Sequence, residues 1–170
     1  VIVHDNQIYG LTKGQASPTS DPGTRTKLQP KGVILSAFRP LETALALGCG
    51  FVARGYAAEK EHLAELILAG IAHKGFSLID VLQPCVSFNK INTYDWYAKR
   101  IYKLGGDYDP GDRNAALAKA AEWGDRIPAG IIYRSASPCY GELSGLDATA
   151  PLADSDLSGI DVAPAFRALC

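Results

Sequence analysis

No methionine occurs in the 170 residues, no two of the four cysteines stand at Cys-x-x-Cys spacing, and no apolar run is long enough to span a membrane. Each absence removes a class of protein. A bilayer-crossing helix needs roughly 20 consecutive apolar residues, so a membrane role is set aside. Cys49, Cys85, Cys139 and Cys170 are too dispersed for a zinc ribbon, or for an iron–sulfur cluster held by this chain alone. With neither a secretory leader nor a disulfide framework, the expected setting is the cytoplasm, with free thiols. A formal net charge of -1, from 17 Lys and Arg against 18 Asp and Glu, lacks the basic field that nonspecific nucleic-acid binding requires. An intact translation product normally begins with Met, so the chain is expected to be a portion of a longer one.

What is present describes one globular core: 47% hydrophobic and 21% charged residues. The expected class is α/β, a parallel sheet with helices on both faces and an irregular C-terminal arm. Val1 to Val3 reads as a buried strand, followed by a loop rich in Gly, Pro, Ser and Thr from Gly10 to about Gly32. A loop of that length usually covers a site. Pro40 opens a helix through Leu47, and Phe51 to Ala53 reads as a second strand. Ala58 to Lys74 is the clearest helix, with Leu63, Leu66, Ile67 and Ile71 on one face. Phe76 to Leu82 follows as a third strand, and strand, helix, strand of this length implies a parallel crossover. A helix over Asn92 to Leu104 is predicted with Lys99, Arg100 and Lys103 as a basic face, then a helix over Asn114 to Trp123 and a short strand at Ile131 to Tyr133. From Ser135 the composition is that of an arm ordered against a partner, with Phe166 and Leu169 as its anchor.

The chemistry concentrates in VIVHDNQIYGLT, residues 1–12, where an apolar run meets Asp5 and Asn6. Ligands bind at the carboxyl ends of strands in open α/β sheets, so polar residues there need a reason. The Asn6 side-chain oxygen and the Ile8 main-chain carbonyl are ligand types that Mg²⁺ accepts alongside phosphates and water. The same residues also spell an ordinary surface turn. His62 and His73 read as surface and cap residues of their helix, and His4 as a local hydrogen-bonding group. No Ser-His-Asp or paired-carboxylate arrangement follows from the spacing.

Three blocks, DNQIYGLTKGQASPTSDPGTRTK, LETALALGCGFVARGY and HKGFSLIDVLQPCVSFN, resemble the β subunit of the 2-oxoacid:ferredoxin oxidoreductases, thiamine-diphosphate and iron–sulfur enzymes. The resemblance weakens after about Lys103. It implies a thiamine-diphosphate-binding portion over 1–90 and a family-specific extension and arm for contact with another subunit over 91–170. Asp5 and Asn6 would close the thiamine-diphosphate motif, with Asn6 and the Ile8 carbonyl as Mg²⁺ ligands. Tyr9, Leu11 and Thr12 would lie against the diphosphate and thiazolium, and Lys13 would meet the 2-oxo acid carboxylate or coenzyme A. Cys85 would be the last thiolate of a 4Fe-4S cluster.

The Gly-Asp-Gly that opens the family's thiamine motif and its Cys-x-x-Cys pair have no counterpart ahead of Val1, so half of each site is expected to come from elsewhere. The implied activity is oxidative decarboxylation of a 2-oxo acid of the pyruvate or 2-oxoglutarate type to acyl-CoA, with electrons passed to ferredoxin, or the reverse carboxylation. The implied partner is an α (or αγ) subunit, which by the same resemblance supplies the Glu that activates thiamine, so no residue here is assigned as catalytic. The alternative is a non-catalytic assembly module without a complete cofactor site.

Overall fold

The computed structural model describes residues 1–146, 152–154, 156 and 158–169, and these divide into two compact units, 1–137 and 138–170. The first is built on a five-stranded sheet in the order β1-β3-β2-β5-β4. Its elements are β1 (Ile2–Asp5), α1 (Pro40–Ala46), β2 (Phe51–Tyr56), α2 (Lys60–Ala72), β3 (Ser77–Leu82), α3 (Tyr94–Ala98), β4 (Ile101–Lys103), α4 (Arg113–Ala121) and β5 (Ile127–Arg134). β3 lies between β1 and β2 and is parallel to both, and β4 is parallel to β5. β5 runs antiparallel to β2, with a bulge between Val52 and Ala53, so the expected parallel sheet is a mixed one.

Helices cover both faces because the strand residues alternate between two apolar clusters. Phe51, Ala53, Ile79 and Val81 pack with Leu66 of α2. On the opposite side Val52 and Ile132 pack with Leu41, Ala44 and Leu45 of α1 and with Ala116 and Ala120 of α4. A third cluster, Tyr56, Leu82, Tyr97 and Ile127, closes the sheet end nearest the site. Pro40 stands in the first turn of α1 and Asp112 caps α4 by accepting from the Asn114 and Ala115 amides at 2.8 and 3.1 Å.

The helix expected over Asn92 to Leu104 is a correction. It stops at Ala98, and Ile101–Lys103 form strand β4 against Ile127–Ala129. Arg100 turns back instead of continuing the helix. Its Nη1 donates to the Trp96 carbonyl at 3.1 Å, and its guanidinium lies 4.3 Å from the Trp96 ring centroid. Lys103 pairs with Glu59 at 2.7 Å, so the basic face does not form. An available strand edge outweighs helical periodicity in so short a segment.

The second unit holds α5 (Tyr140–Leu143), a 3-10 turn at Leu152–Asp154 and α6 (Ala163–Ala168). Phe166 and Leu169 of the expected anchor are exposed. Cys170 and positions 147–151, 155 and 157 of the expected arm lie outside the described residues. No helix among the described residues is long and apolar enough to cross a membrane.

Candidate functional site

β1 ends on Asp5, and the chain then turns sharply through Asn6, Gln7 and Ile8. Gln7 sits at φ 59, a left-handed conformation that costs a non-glycine residue and persists only when neighbours hold it. Several do. Asp5 Oδ1 accepts the Gln7 amide at 3.1 Å and the Thr19 hydroxyl at 2.6 Å. Asn6 Oδ1 accepts the Ile8 amide at 3.0 Å, an Asx turn. Ser20 donates to the Gln7 carbonyl at 2.6 Å, and Asn89 Nδ2 donates to the Asn6 carbonyl at 3.0 Å. The turn is thus fastened by the long loop on one side and by the segment after β3 on the other.

The next residues form a second turn. The Tyr9 and Gly14 amides donate to the Gln15 and Tyr9 carbonyls at 2.8 and 3.0 Å, and Lys13 also has positive φ, at 67. Asp5, Asn6, Ile8, Tyr9, Leu11 and Thr12 all line one cavity of about 840 Å³, whose apolar wall includes Val3, Phe38, Leu47 and Leu78. Leu11 is 98% exposed at its rim. Lys13 lies outside this lining and is exposed to solvent.

Cys85 lies behind the same turns rather than in the cavity. Gly10 presses so closely on it that a Cβ there would stand 2.9 Å from Cys85 Sγ. Asn89, which holds the Asn6 carbonyl, donates its own amide to the Cys85 carbonyl at 2.9 Å. The two regions singled out from sequence are therefore mechanically joined. Cys49 is buried and donates to the Phe51 and Phe76 carbonyls at 3.1 and 3.4 Å.

Beneath the turn lies a buried charged group that the sequence reading did not identify. Arg54 and Asp80 are register partners on β2 and β3, only 2% and 1% exposed, and Arg54 Nε donates to Asp80 Oδ2 at 3.2 Å. Asp5 pairs with Leu82, two residues along β3, so it faces the same side of the sheet. Burial pushes the pKa of Asp5 above the ordinary carboxylate value, against the pull of Thr19, the Gln7 amide and Arg54. Asp80 is pushed up in the same way, by burial first, with Arg54 opposing and Asp5 adding to the rise. The buried hydroxyl of Tyr97 feels the same carboxylates. Gln7 Nε2 and Oε1, Arg54 Nη1, Asp80 Oδ1 and the Tyr97 hydroxyl have no hydrogen-bond partner among the described residues, a concentration of polar atoms that ordered water satisfies in interiors.

Trp123 ties this group to the long loop. Its ring centroid lies 5.6 Å from the Arg54 guanidinium and 5.0 Å from that of Arg39, and its Nε1 donates to Asp21 at 3.1 Å. A charge inside each of the apolar strands FVARGY and FSLIDVL was the signal in the sequence, since two opposite charges in neighbouring buried strands must meet.

The oxygens of Asn6 and Ile8 suit a hard divalent ion. The carboxamide oxygen retains a lone pair beyond the one given to the Ile8 amide. Among the described residues no three His, Cys, Asp and Glu side chains converge, so such an ion would draw most of its ligands from phosphate, water and groups beyond this chain.

Residues 1–81 match the family described as thiamine pyrophosphate enzyme, C-terminal TPP binding domain, and residues 85–145 match the C-terminal family of the pyruvate ferredoxin oxidoreductase beta subunit. The chain is 51% identical over 146 residues to a 2-oxoacid:ferredoxin oxidoreductase subunit beta of Sulfolobus sp, covering 79% of this chain and 48% of that protein. It is 46% identical over 144 residues to subunit beta of 2-oxoacid:ferredoxin oxidoreductase 1 of Aeropyrum pernix, covering 78% and 45%. A solved 2-oxoglutarate:ferredoxin oxidoreductase from Magnetococcus marinus, with 2-oxoglutarate, coenzyme A and succinyl-CoA bound, superposes with a TM-score of 0.84 at 31% identity, over 99% of this chain and 57% of that one. The chain spans about half the length of the curated relatives it matches. With both regions matched in order and the fold shared, the chain belongs to the 2-oxoacid:ferredoxin oxidoreductase β-subunit family.

Proposed function

We propose that this chain contributes one side of the thiamine-diphosphate site of a 2-oxoacid:ferredoxin oxidoreductase, which converts a 2-oxo acid to acyl-CoA with electrons passed to ferredoxin, or runs the reverse carboxylation. The observation that carries it is the doubly fastened turn Asp5–Ile8 at the carboxyl end of β1, opening on the 840 Å³ cavity. Asn6 Oδ1 and the Ile8 carbonyl would hold Mg²⁺, and Asp5, bound by Thr19 and the Gln7 amide, orients them. Tyr9, Leu11 and Thr12 would contact the cofactor, and Lys13 the 2-oxo acid. Thiamine diphosphate, when bound, supplies the electron sink for loss of CO₂. The apolar wall keeps water from the reacting carbon. Cys85 would give one thiolate to a 4Fe-4S cluster whose other ligands lie beyond this chain, and an α subunit would complete the enzyme.

The test is a thiamine-diphosphate titration of the complete enzyme with and without Mg²⁺. Asn6→Ala is expected to abolish the Mg²⁺-dependent component. Binding that is unchanged in the variant removes Asn6 from the site.

A further inference from the structure

Asn89 is 5% exposed, and both polar atoms of its side chain are engaged. Oδ1 accepts the Ile91 and Asn92 amides at 3.0 and 2.9 Å. Nδ2 donates to the Asn6 carbonyl at 3.0 Å and to Asn92 Oδ1 at 3.2 Å, while the Asn89 backbone amide donates to the Cys85 carbonyl at 2.9 Å. One residue thus grips the main chain of a proposed Mg²⁺ ligand and that of the proposed cluster ligand. Gly10 meets Cys85 Sγ beside it, and a Cβ on Gly14, at φ 97, would stand 3.2 Å from the Phe88 ring. Residues 6–14 and 85–92 therefore interlock at three places, 6 with 89, 10 with 85 and 14 with 88.

The carbonyl that Asn89 holds belongs to the peptide joining Asn6 to Gln7, and Gln7 is the residue at φ 59. The amide of the same peptide donates to Asp5 Oδ1 at 3.1 Å. Its plane is held by the oxygen from the cluster side and by the N–H from the Asp5–Thr19 side. Half a turn of the plane would release Gln7 from the left-handed region and break both bonds, so it has two discrete positions, an element that two sites can bias. Asn6 Oδ1 accepts the Ile8 amide across this plane, so its position sets the two oxygens proposed for Mg²⁺.

We propose that Asn89 is a positioning residue that couples the two cofactor sites, an inference that rests on the oxidoreductase function proposed above. By holding the Asn6–Gln7 peptide it sets Asn6 and Ile8 for Mg²⁺, and occupancy there is felt at Cys85 through the same residue. In the complete enzyme the potential of the cluster bound by Cys85 is followed by electron paramagnetic resonance, after removal of Mg²⁺ and thiamine diphosphate with EDTA and again after their return. Their return is expected to shift the one-electron equilibrium by about ten-fold, about 59 mV, and thiamine-diphosphate affinity differs by the same factor between oxidised and reduced enzyme because coupling is reciprocal. Asn89→Asp keeps an acceptor for the Ile91 and Asn92 amides and loses the donor to Asn6. Asn89→Ser, too short to reach Asn6, removes the same contact without adding charge. In each the shift is expected to fall below about two-fold. Thr19→Val loosens the turn from the side away from Cys85, so it weakens cofactor binding and keeps the shift at saturating cofactor. Absence of a shift in the parent enzyme overturns the proposal without any variant. A shift that survives both Asn89 substitutions overturns it as a through-space effect of charge, and loss of the shift in Thr19→Val overturns it because any loosening of the turn would then suffice. A parent enzyme that binds no thiamine diphosphate or no iron overturns the function proposed above together with this inference, whereas one that holds both and shows no shift overturns the coupling alone.

Discussion

Gly10 and Cys85, 75 residues apart, are in direct contact: a methyl group on Gly10 would lie 2.9 Å from the Cys85 sulfur. The turn proposed to face thiamine diphosphate therefore rests on the thiol proposed to hold the cluster. Gly10→Ala is expected to push Cys85 off its rotamer, at about 1 kcal/mol, and to lower cluster occupancy in the complete enzyme while the fold survives. Iron content and visible absorbance measure this. Full occupancy in Gly10→Ala would show that the contact is not needed for ligation.

Thr19 holds Asp5 at 2.6 Å from the opposite side of the turn. Thr19→Val keeps the shape and removes the hydroxyl. A hydrogen bond to a buried carboxylate contributes about 1.5–3 kcal/mol, and that range is the expected loss in denaturant stability. Mg²⁺-dependent thiamine-diphosphate affinity should fall with it. Thr19→Ser should retain both.

Arg54 and Asp80 are a buried pair whose separation leaves an uncompensated charge. Arg54→Met and Asp80→Leu are each expected to cost about 3–5 kcal/mol, and the double exchange less than either alone. Equal and additive losses in urea unfolding would show that the two side chains do not act as a pair.

The same pair predicts an unusual pH dependence. Burial raises the pKa of Asp80 from 3.8 to about 6, so between those values the folded chain holds a proton that the unfolded chain has lost. Stability contributed by this group is therefore present below that window and falls as pH rises through it, opposite to the usual salt-bridged carboxylate. Asp80→Asn should flatten this slope in thermal midpoints measured from pH 4 to 6.5. An unaltered slope would place the titration elsewhere.

Trp123 links α4 to the long loop through Asp21, at 3.1 Å, and through the stacked Arg39. Trp123→Phe keeps a ring and loses the donor. The expected loss is about 1 kcal/mol globally, with faster limited proteolysis between residues 10 and 39. An unchanged cleavage rate would mean that the loop is held by its other contacts alone.

Much of this organisation was legible in the chain itself. The apolar run into Asp5 and Asn6, the loop too long to be idle, and the strand, helix, strand unit around Leu63 and Leu66 each carry a local period or a turn residue that fixes local structure. The helix expected across Arg100 failed because periodicity over three residues, Ile101 to Lys103, is weaker than an open edge on β5.

The sequence by itself determined which residues could do chemistry, since the amide oxygens and the thiol are properties of composition. It also determined the parallel β2–α2–β3 unit, because hydrophobic alternation and connection length act along the chain. Tertiary structure alone decided that Arg54 meets Asp80, that Thr19 and Asn89 grip one turn, and that Gly10 touches Cys85. Those contacts join residues 14 to 83 positions apart, and strand pairing and loop closure set such distances where no local preference reaches.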